Sequence, residues 1–164
     1  MAVKFHPDKV RDMGEDYQKQ VMVFLAAQSN LNCRGFLSKD TAITDLLEQR
    51  GDLHHLFPKA FMKKNGRTWH DYNHVGNFVL MQQEINIRIG AKAPMEYMNS
   101  ILDGDHDGSI RYGAITNKEE LDLNLAENAI PQSIFNAEVG DFDAFLKERR
   151  ILMSKLIQRY YSRL

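Results

Sequence analysis

The sequence predicts an α+β fold, mostly helical, around one small β-hairpin that a helix follows. Three observations lead to this class. Most apolar residues recur at helical spacing, only two short segments fit strands, and both segments lie in the middle of the chain, between positions 52 and 81. Because 164 residues, 43% of them hydrophobic, suffice for one ordinary core and are few for two, we expect a single domain over 1–164.

Helical support for the hairpin is expected over residues 1–50. From position 8 to position 29 the chain has no proline and one glycine, and its apolar residues follow near-helical spacing, which predicts an amphipathic helix. A shorter helix is predicted at 38–50, where Ser38 or Thr41 supplies the N-cap and Gly51 stops the helix.

The next region, 52–102, is expected to hold the order strand, loop, strand, helix. Residues 52–57 end at Pro58 and fit a strand that leads into a loop, and residues 77–81 fit the second strand. Four further segments complete the region: a helical turn at 59–64 closed by Asn65 and Gly66, an irregular polar stretch through His74, a helix at 82–89 stopped by Gly90, and a helix at 94–102.

The C-terminal part, 118–164, is predicted to be helical. A polar, glycine-rich loop at 103–113 precedes a helix at 118–128, a short turn at 131–135 and a long helix at 141–161. The last helix carries basic residues toward its C-terminus, where they suit the helix dipole and need no nucleic acid to explain them. These residues are Arg149, Arg150, Lys155, Arg159 and Arg163.

Composition limits the classes of function. Cys33 is the sole cysteine, so the chain has neither an intramolecular disulfide nor a thiolate-rich zinc site, which indicates a reducing compartment and predicts a cytoplasmic protein. The longest apolar run, 21–27, is far below the roughly twenty residues that span a bilayer, so no membrane is expected. The glycine motifs of P-loop nucleotide hydrolases, dinucleotide-binding proteins and α/β-hydrolases are missing from the sequence.

The formal net charge of −1 conceals two blocks of opposite sign. Residues 51–92 contain six basic and three acidic side chains and are suited to hold phosphate. Residues 93–140 contain nine acidic side chains against Arg111 and Lys118, so this block is expected to repel nucleic acid or to face another protein surface. Two merely solvated faces are the alternative interpretation.

His54 and His55 are candidates for hydrolytic chemistry. Cleavage of a phosphodiester needs a group that takes a proton from the attacking water and a cation that neutralises charge on the phosphate, and a histidine with a metal ion supplies both. In a strand the two side chains point to opposite sides, so one imidazole can bind metal while the other faces the nucleophile. A lone pair of histidines is often only a pair of half-buried hydrogen-bonding residues, but here Asn77 follows, and Asn86 stands nine positions later.

Two segments of the sequence, HHLFPKAFMKKNG and DYNHVGNFVLMQQEINIRIGAKAPMEYM, resemble the C-terminal nuclease domain of GmrSD-like restriction proteins. Those proteins are type IV and related phage-defence enzymes that attack modified DNA, and their nuclease domain belongs to the HNH, or ββα-metal, superfamily. The His-x-x-Pro signature of the domain stands here at 55–58, and the tail FLKERRILMSKLIQRYY resembles its final helix. The resemblance runs from about Phe36 onward and implies a ββα-metal core at about 52–102.

The resemblance implies roles for four residues. His55 would be the general base, and His54 the first metal ligand, at a position where many HNH enzymes have aspartate. Asn86 would be the second protein ligand, and Asn77 would tie the strand to the loop and keep the base oriented. The cofactor would be one divalent metal ion, Mg²⁺ or Mn²⁺ by preference, with Zn²⁺ and Ni²⁺ as alternatives because imidazole suits those metals.

DNA is the expected partner, and basic residues that flank these four are the expected phosphate contacts, Lys59 and Arg88 first. The full set is Lys59, Lys63, Lys64, Arg67, His74, Arg88 and Lys92. GmrSD-like proteins normally carry a large nucleotide-dependent N-terminal domain, so a domain or subunit of that kind is a second expected partner.

The predicted function is therefore that of a metal-dependent DNA endonuclease, the nuclease part of a restriction or phage-defence system. The alternative is a non-catalytic DNA-binding or assembly module whose nuclease site has decayed or needs a partner. A weaker alternative is an interaction domain that uses the acidic block at 93–140.

Two other motifs have simpler explanations. Residues 103–108 begin like a calcium loop, but the twelfth position is Ala114 instead of a bidentate glutamate, so a polar surface turn is preferred. His70 and His74 would share a zinc ion if they lay on one helix, but their segment does not predict one. Trp69 and Tyr72 suit packing better than stacking on a base.

Overall fold

The protein is described by a computed structural model that covers residues 15–49, 51–103 and 112–164, with the backbone alone for residues 15–18. The α+β class is confirmed: helices predominate, and a two-stranded antiparallel sheet lies among them. The helices are α1 (Glu15–Asn30), α2 (Ile43–Glu48), α3 (Lys59–Lys64), α4 (Trp69–Tyr72), α5 (Gln83–Ile89), α6 (Pro94–Asn99), α7 (Lys118–Glu127) and α8 (Phe142–Tyr161), and the strands are β1 (Asp52–His55) and β2 (Phe78–Met81). Short 3-10 turns lie at Val75–Asn77, Gln132–Asn136 and Val139–Asp141. Within the covered ranges no helix has the length and apolar character to cross a membrane.

Several predicted elements are confirmed with small changes at their ends. The helical turn at 59–64 is α3, and the long C-terminal helix is α8. Gly90 ends α5 with a positive φ of 57°, a backbone conformation that glycine adopts without strain. Both strands are shorter than predicted. Beyond the end of the ladder the backbone N–H of Phe57 donates to the side-chain oxygen of Asn77 and not to a backbone carbonyl of the other strand.

Two predictions of local structure were wrong. The second helix begins at Ile43 and not at position 38, because Ser38 and Lys39 form hydrogen bonds outside a helix, to Gly35 and Gly113. The stretch before His74 was expected to be irregular, yet it contains the short helix α4. Residues 8–14 of the first predicted helix, and the calcium-like run after Asp103, lie outside the described residues.

The hairpin lies between two apolar clusters. Antiparallel pairing sets His54 opposite Val79 and His55 opposite Phe78, and residues that are directly opposed share a face of the sheet. Val79 and Met81 belong to the cluster that also contains the apolar side of α5 and the aromatic residues around Phe57. Phe78 and Leu80 belong to the second cluster, with the buried residues of α1 and α8. β2 is therefore buried on both faces, and the hairpin is fixed from both sides.

Arg149 joins α8 to the start of β2. Its side chain is fully buried, and its guanidinium donates to the carbonyl oxygens of Gly76 at 2.8 Å, Phe78 at 2.6 Å and Asn128 at 3.3 Å. Burial lowers the pKa of Arg149 to about 9. Because this pKa is still above neutral pH, the guanidinium remains cationic there. The sequence suggested a dipole role for this residue, but in the structure it fastens the end of the loop that precedes β2.

Candidate active site

His55 is the last residue of β1, at the point where the hairpin opens into its long loop. Its half-buried ring lies 4.7 Å from the ring of Phe78 and 5.7 Å from the ring of Tyr72, measured between centroids. The ring of Tyr72 meets it edge-on, at 80°. Tyr72 is 3% exposed, so it packs against the histidine as the sequence predicted and is not available to stack on a base.

Asn73 holds the imidazole of His55. The Nε2 atom of His55 lies 2.8 Å from the Oδ1 atom of Asn73, which follows α4 in the chain. Because an amide oxygen only accepts, Nε2 carries the hydrogen, and the acceptor of the neutral ring is Nδ1. The sequence did not single out Asn73, although Thr68 and Asp71 have the spacing of a capping box, which predicts the start of the short helix that Asn73 follows.

The pKa of His55 is lowered from its ordinary value. Burial of the ring is the main cause, the nearby cation of Lys59 adds to it, and the hydrogen bond that Nε2 donates to Asn73 opposes it. A neutral ring is therefore the prevailing form near neutral pH. A neutral imidazole with one nitrogen held by an amide and the other unprotonated has the form that a general base requires.

Asn77 ties the end of β1 to the loop. Its side chain is fully buried: Oδ1 accepts from the backbone N–H of Phe57 at 2.8 Å, and Nδ2 donates to the carbonyl oxygens of Phe57 at 3.3 Å and Tyr72 at 2.9 Å. Tyr72 precedes Asn73, so the side chain that fixes the strand end also fixes the segment that presents the partner of His55. These bonds connect the strand to the loop, and the role of Asn77 in orienting the base stays a prediction.

His54 faces the side of the hairpin opposite to His55, and Asn86 lies on α5, the helix that follows β2. His54 is opposed to Val79, and Val79 shares a cluster with Ile85 and Ile89, the buried residues of α5. Asn86 is next to Ile85 and three positions before Ile89, so it borders the buried side of that helix. His54 and Asn86 are both half-buried, and the Nε2 atom of His54 is buried.

A divalent cation needs nitrogen or oxygen donors that converge on one point. Within the described residues no group of three or more His, Cys, Asp or Glu side chains is placed to hold a metal ion. The expected pair, His54 and Asn86, is not such a group, because it has two members and one of them is an asparagine. An imidazole nitrogen and a carboxamide oxygen are donor types that suit a divalent cation, and two protein donors leave coordination positions for waters and phosphate oxygens.

Five of the predicted phosphate contacts lie on α3, on α5 and just after α5. Lys59 is exposed at the start of α3 and close enough to lower the pKa of His55. Lys63 and Lys64 are exposed at the end of the same helix, and Arg88 is exposed in the last turn of α5. Lys92 is half-buried and donates through Nζ to the carbonyl oxygen of Arg88 at 2.6 Å.

Arg67 has intramolecular partners instead. Its guanidinium lies 4.0 Å from the carboxylate of Asp71 and 3.7 Å from that of Asp143, and it stacks over the ring of Phe142 at 5.7 Å. Two neighbouring carboxylates reduce the attraction of this cation for phosphate. We therefore leave Arg67 out of the proposed DNA contacts.

His74 caps the 3-10 turn that leads into β2. Its Nδ1 accepts from the backbone N–H of Gly76 at 3.1 Å. Burial lowers the pKa of His74, the cation of Arg150 lowers it further, and the carboxylate of Asp143 raises it. A neutral capping histidine is a poor phosphate ligand, so the structure favours a local role.

His70 lies on α4, where its ring stacks on exposed Trp69 at 3.8 Å, and it does not share a helix with His74.

A comparison of the chain with models of protein families, with curated proteins and with solved structures found no match.

Proposed function

We propose that the protein is a metal-dependent endonuclease that hydrolyses phosphodiester bonds in DNA. The observation that carries the proposal is the arrangement at the end of β1, where Asn73 orients His55 and Asn77 fixes the strand and the loop together. A neutral, oriented and partly open imidazole beside exposed lysines is suited to take a proton from water next to a phosphate. The HNH, or ββα-metal, identity of the core is part of this proposal.

In the proposed reaction His55 accepts a proton from the attacking water at Nδ1, while Asn73 keeps the ring in place through Nε2. Asn77 positions the end of β1 and the segment before Asn73, and it contacts no reacting atom. His54 and Asn86 would hold one divalent cation. When bound, such a cation supplies neutralisation of the negative charge that grows on the phosphate and on the leaving oxygen.

The proposed substrate rests on charge and on the resemblance. Lys59, Lys63 and Lys64 on α3, with Arg88 and Lys92 by α5, supply positive charge along the same region of the chain as His54 and His55. Phosphate contacts of this kind give affinity with little sequence preference. The resemblance to GmrSD-like proteins adds DNA as the substrate, a role in restriction or phage defence, and a nucleotide-dependent partner domain or subunit.

Relaxation of supercoiled plasmid tests the proposal. The purified chain with Mg²⁺ or Mn²⁺ is expected to nick or cut the plasmid, and His55→Ala is expected to lower the rate by about 10² to 10⁴. His70→Ala is the matched control, because His70 is an exposed histidine of α4 whose ring stacks on Trp69. Near-normal cutting by a folded His55→Ala variant refutes the assignment of the base.

Titration calorimetry with Mn²⁺ tests the metal ligands separately. Heat of binding that His54→Ala and Asn86→Ala each abolish supports the pair, and Asn136→Ala, an exposed asparagine of a 3-10 turn, is expected to leave it unchanged. DNA binding without metal binding or cutting would instead identify the non-catalytic DNA-binding module.

A further inference from the structure

Two surface grooves flank α8 and differ in charge. The first, the α1–α8 groove, has a volume of about 420 Å³ and is lined by residues of α1 and α8 and by Val75. Among the residues that the structure describes, Lys19 and Arg150 are the charged ones in its lining. The second, the α7–α8 groove, has a volume of about 500 Å³, and the charged residues in the described part of its lining are Asp122 and Glu148.

The α1–α8 groove begins beside the candidate active site. Val75, in its wall, is two positions from Asn73, the residue that holds His55. The charge of Arg150 helps to lower the pKa of His74, the residue between Asn73 and Val75. Asn73, His74 and Val75 are consecutive in the chain, so the wall of the groove lies close to the segment that holds His55.

The lining chemistry matches a sugar–phosphate backbone. The guanidinium of Arg150 is suited to bind a phosphate through two parallel hydrogen bonds, and Ser154, one helical turn further along α8, also lines the groove and adds a hydroxyl donor. The rest of the wall is largely apolar, with Val23, Val75 and Ile157 among its residues, and apolar side chains suit the faces of deoxyribose better than they suit free ions. The α7–α8 groove, with its carboxylates, would repel the same ligand.

We propose that the α1–α8 groove is a second DNA-binding subsite, in which Arg150, assisted by Lys19, binds the phosphates of the strand that extends from the candidate active site. The proposal rests on the proposed function for the position of the scissile phosphate. The subsite would give DNA a contact surface on α1 and α8, in addition to the basic residues of α3 and α5.

DNA binding by the full chain, measured as fluorescence anisotropy of a labelled duplex and a labelled single strand, tests the subsite. The measurements use the His55→Ala background with EDTA and several salt concentrations, so that neither cutting nor metal affects the result. Adding Arg150→Ala is expected to weaken binding on the order of tenfold and to reduce the salt slope by about one, as for the loss of one phosphate contact. Arg150→Lys keeps the charge and is expected to restore most of the affinity.

Lys155→Ala is the control, because Lys155 is exposed on the same helix and does not line the groove. Equal affinities and salt slopes for Arg150→Ala and the background protein overturn the subsite, as does an equal loss for Lys155→Ala or the absence of DNA binding by the background protein. A selective loss for Arg150→Ala in a chain that never cuts plasmid supports the subsite and refutes the nuclease. Plasmid cutting by the wild type, with no effect of Arg150→Ala on DNA binding, supports the nuclease and refutes the subsite.

Discussion

Asn73 forms a side-chain hydrogen bond with His55, and that bond decides which ring nitrogen carries the hydrogen. A histidine at the end of a strand has several rotamers and two tautomers, and only one combination presents an acceptor in a fixed direction. The two flanking rings of Tyr72 and Phe78 restrict the rotamer, while the amide of Asn73 selects the tautomer.

Asn73→Ala is therefore expected to lower the rate of plasmid cutting by roughly 10- to 100-fold, the usual effect of removing a group that orients a reactive histidine. DNA affinity is expected to stay unchanged, because Asn73 supplies no charge. The measurement is a pair of assays, cutting and anisotropy. Asn65→Ala, which removes an exposed asparagine at the end of α3, is the control, and equal cutting by the two variants would contradict the role of Asn73.

His74 gives the fold a dependence on pH. Its folded-state pKa lies below the ordinary value of 6.5, mainly because of burial, so the unfolded chain takes up this proton first as pH falls. The contribution is present above pH 6.5 and is lost as pH falls through 6.5 toward the lowered value. His74→Asn keeps an acceptor for the N–H of Gly76 and removes the titration.

The free energy of unfolding of the wild type is thus expected to fall more between pH 7.5 and pH 5 than that of His74→Asn. Urea denaturation at four pH values measures both. Parallel curves would show that His74 does not contribute to the pH dependence.

At the scale of elements, the hairpin depends on its loop. Two strands of four residues are too short to be stable alone, and the segment between them contains α3, α4 and a 3-10 turn. Asn77 replaces the missing ladder bonds, since it satisfies backbone groups of both Phe57 and Tyr72. The position of His55 and Asn73 relative to each other therefore depends on one buried amide.

Asn77→Ala leaves three buried backbone groups without their side-chain partner. At about 1–3 kcal/mol for each unsatisfied group, and less for carbonyls with a second partner, the free energy of unfolding is expected to fall by about 2–5 kcal/mol. Chemical denaturation measures the change. Asn136→Ala, at an exposed site, is expected to stay within about 0.5 kcal/mol of the wild type, and a comparably small effect of Asn77→Ala would contradict the tie.

At the scale of the molecule, α8 links the two apolar clusters. Phe142 and Phe145 pack in the cluster around Phe57, while Met153 and Leu156 pack in the cluster of α1. Arg149 lies between these two groups on the helix, and its bonds reach the start of β2 and the end of α7. The same helix also separates the basic α1–α8 groove from the acidic α7–α8 groove.

Arg149→Ala is expected to lower the free energy of unfolding by more than about 3 kcal/mol, because it opens a cavity and removes the donors of three carbonyls. Its neighbour gives a sharp control: Arg150 is exposed, and Arg150→Ala is expected to change stability by at most about 0.5 kcal/mol. Thermal and urea unfolding compare the two variants, and similar stabilities would contradict the structural role of Arg149.

The sequence by itself determined the local elements and the candidate histidines. Apolar spacing, Pro58 and Gly90 depend on near neighbours in the chain, so they predicted α3, α5, α8 and the two strands, and the alternation of a strand predicted that His54 and His55 face opposite sides. The tertiary structure alone decided which polar groups meet. Asn73 lies 18 positions from His55, and Arg149 lies 73 and 71 positions from the carbonyls of Gly76 and Phe78 that it binds. Contacts over such separations arise from packing of the clusters, and no local pattern in the chain specifies them.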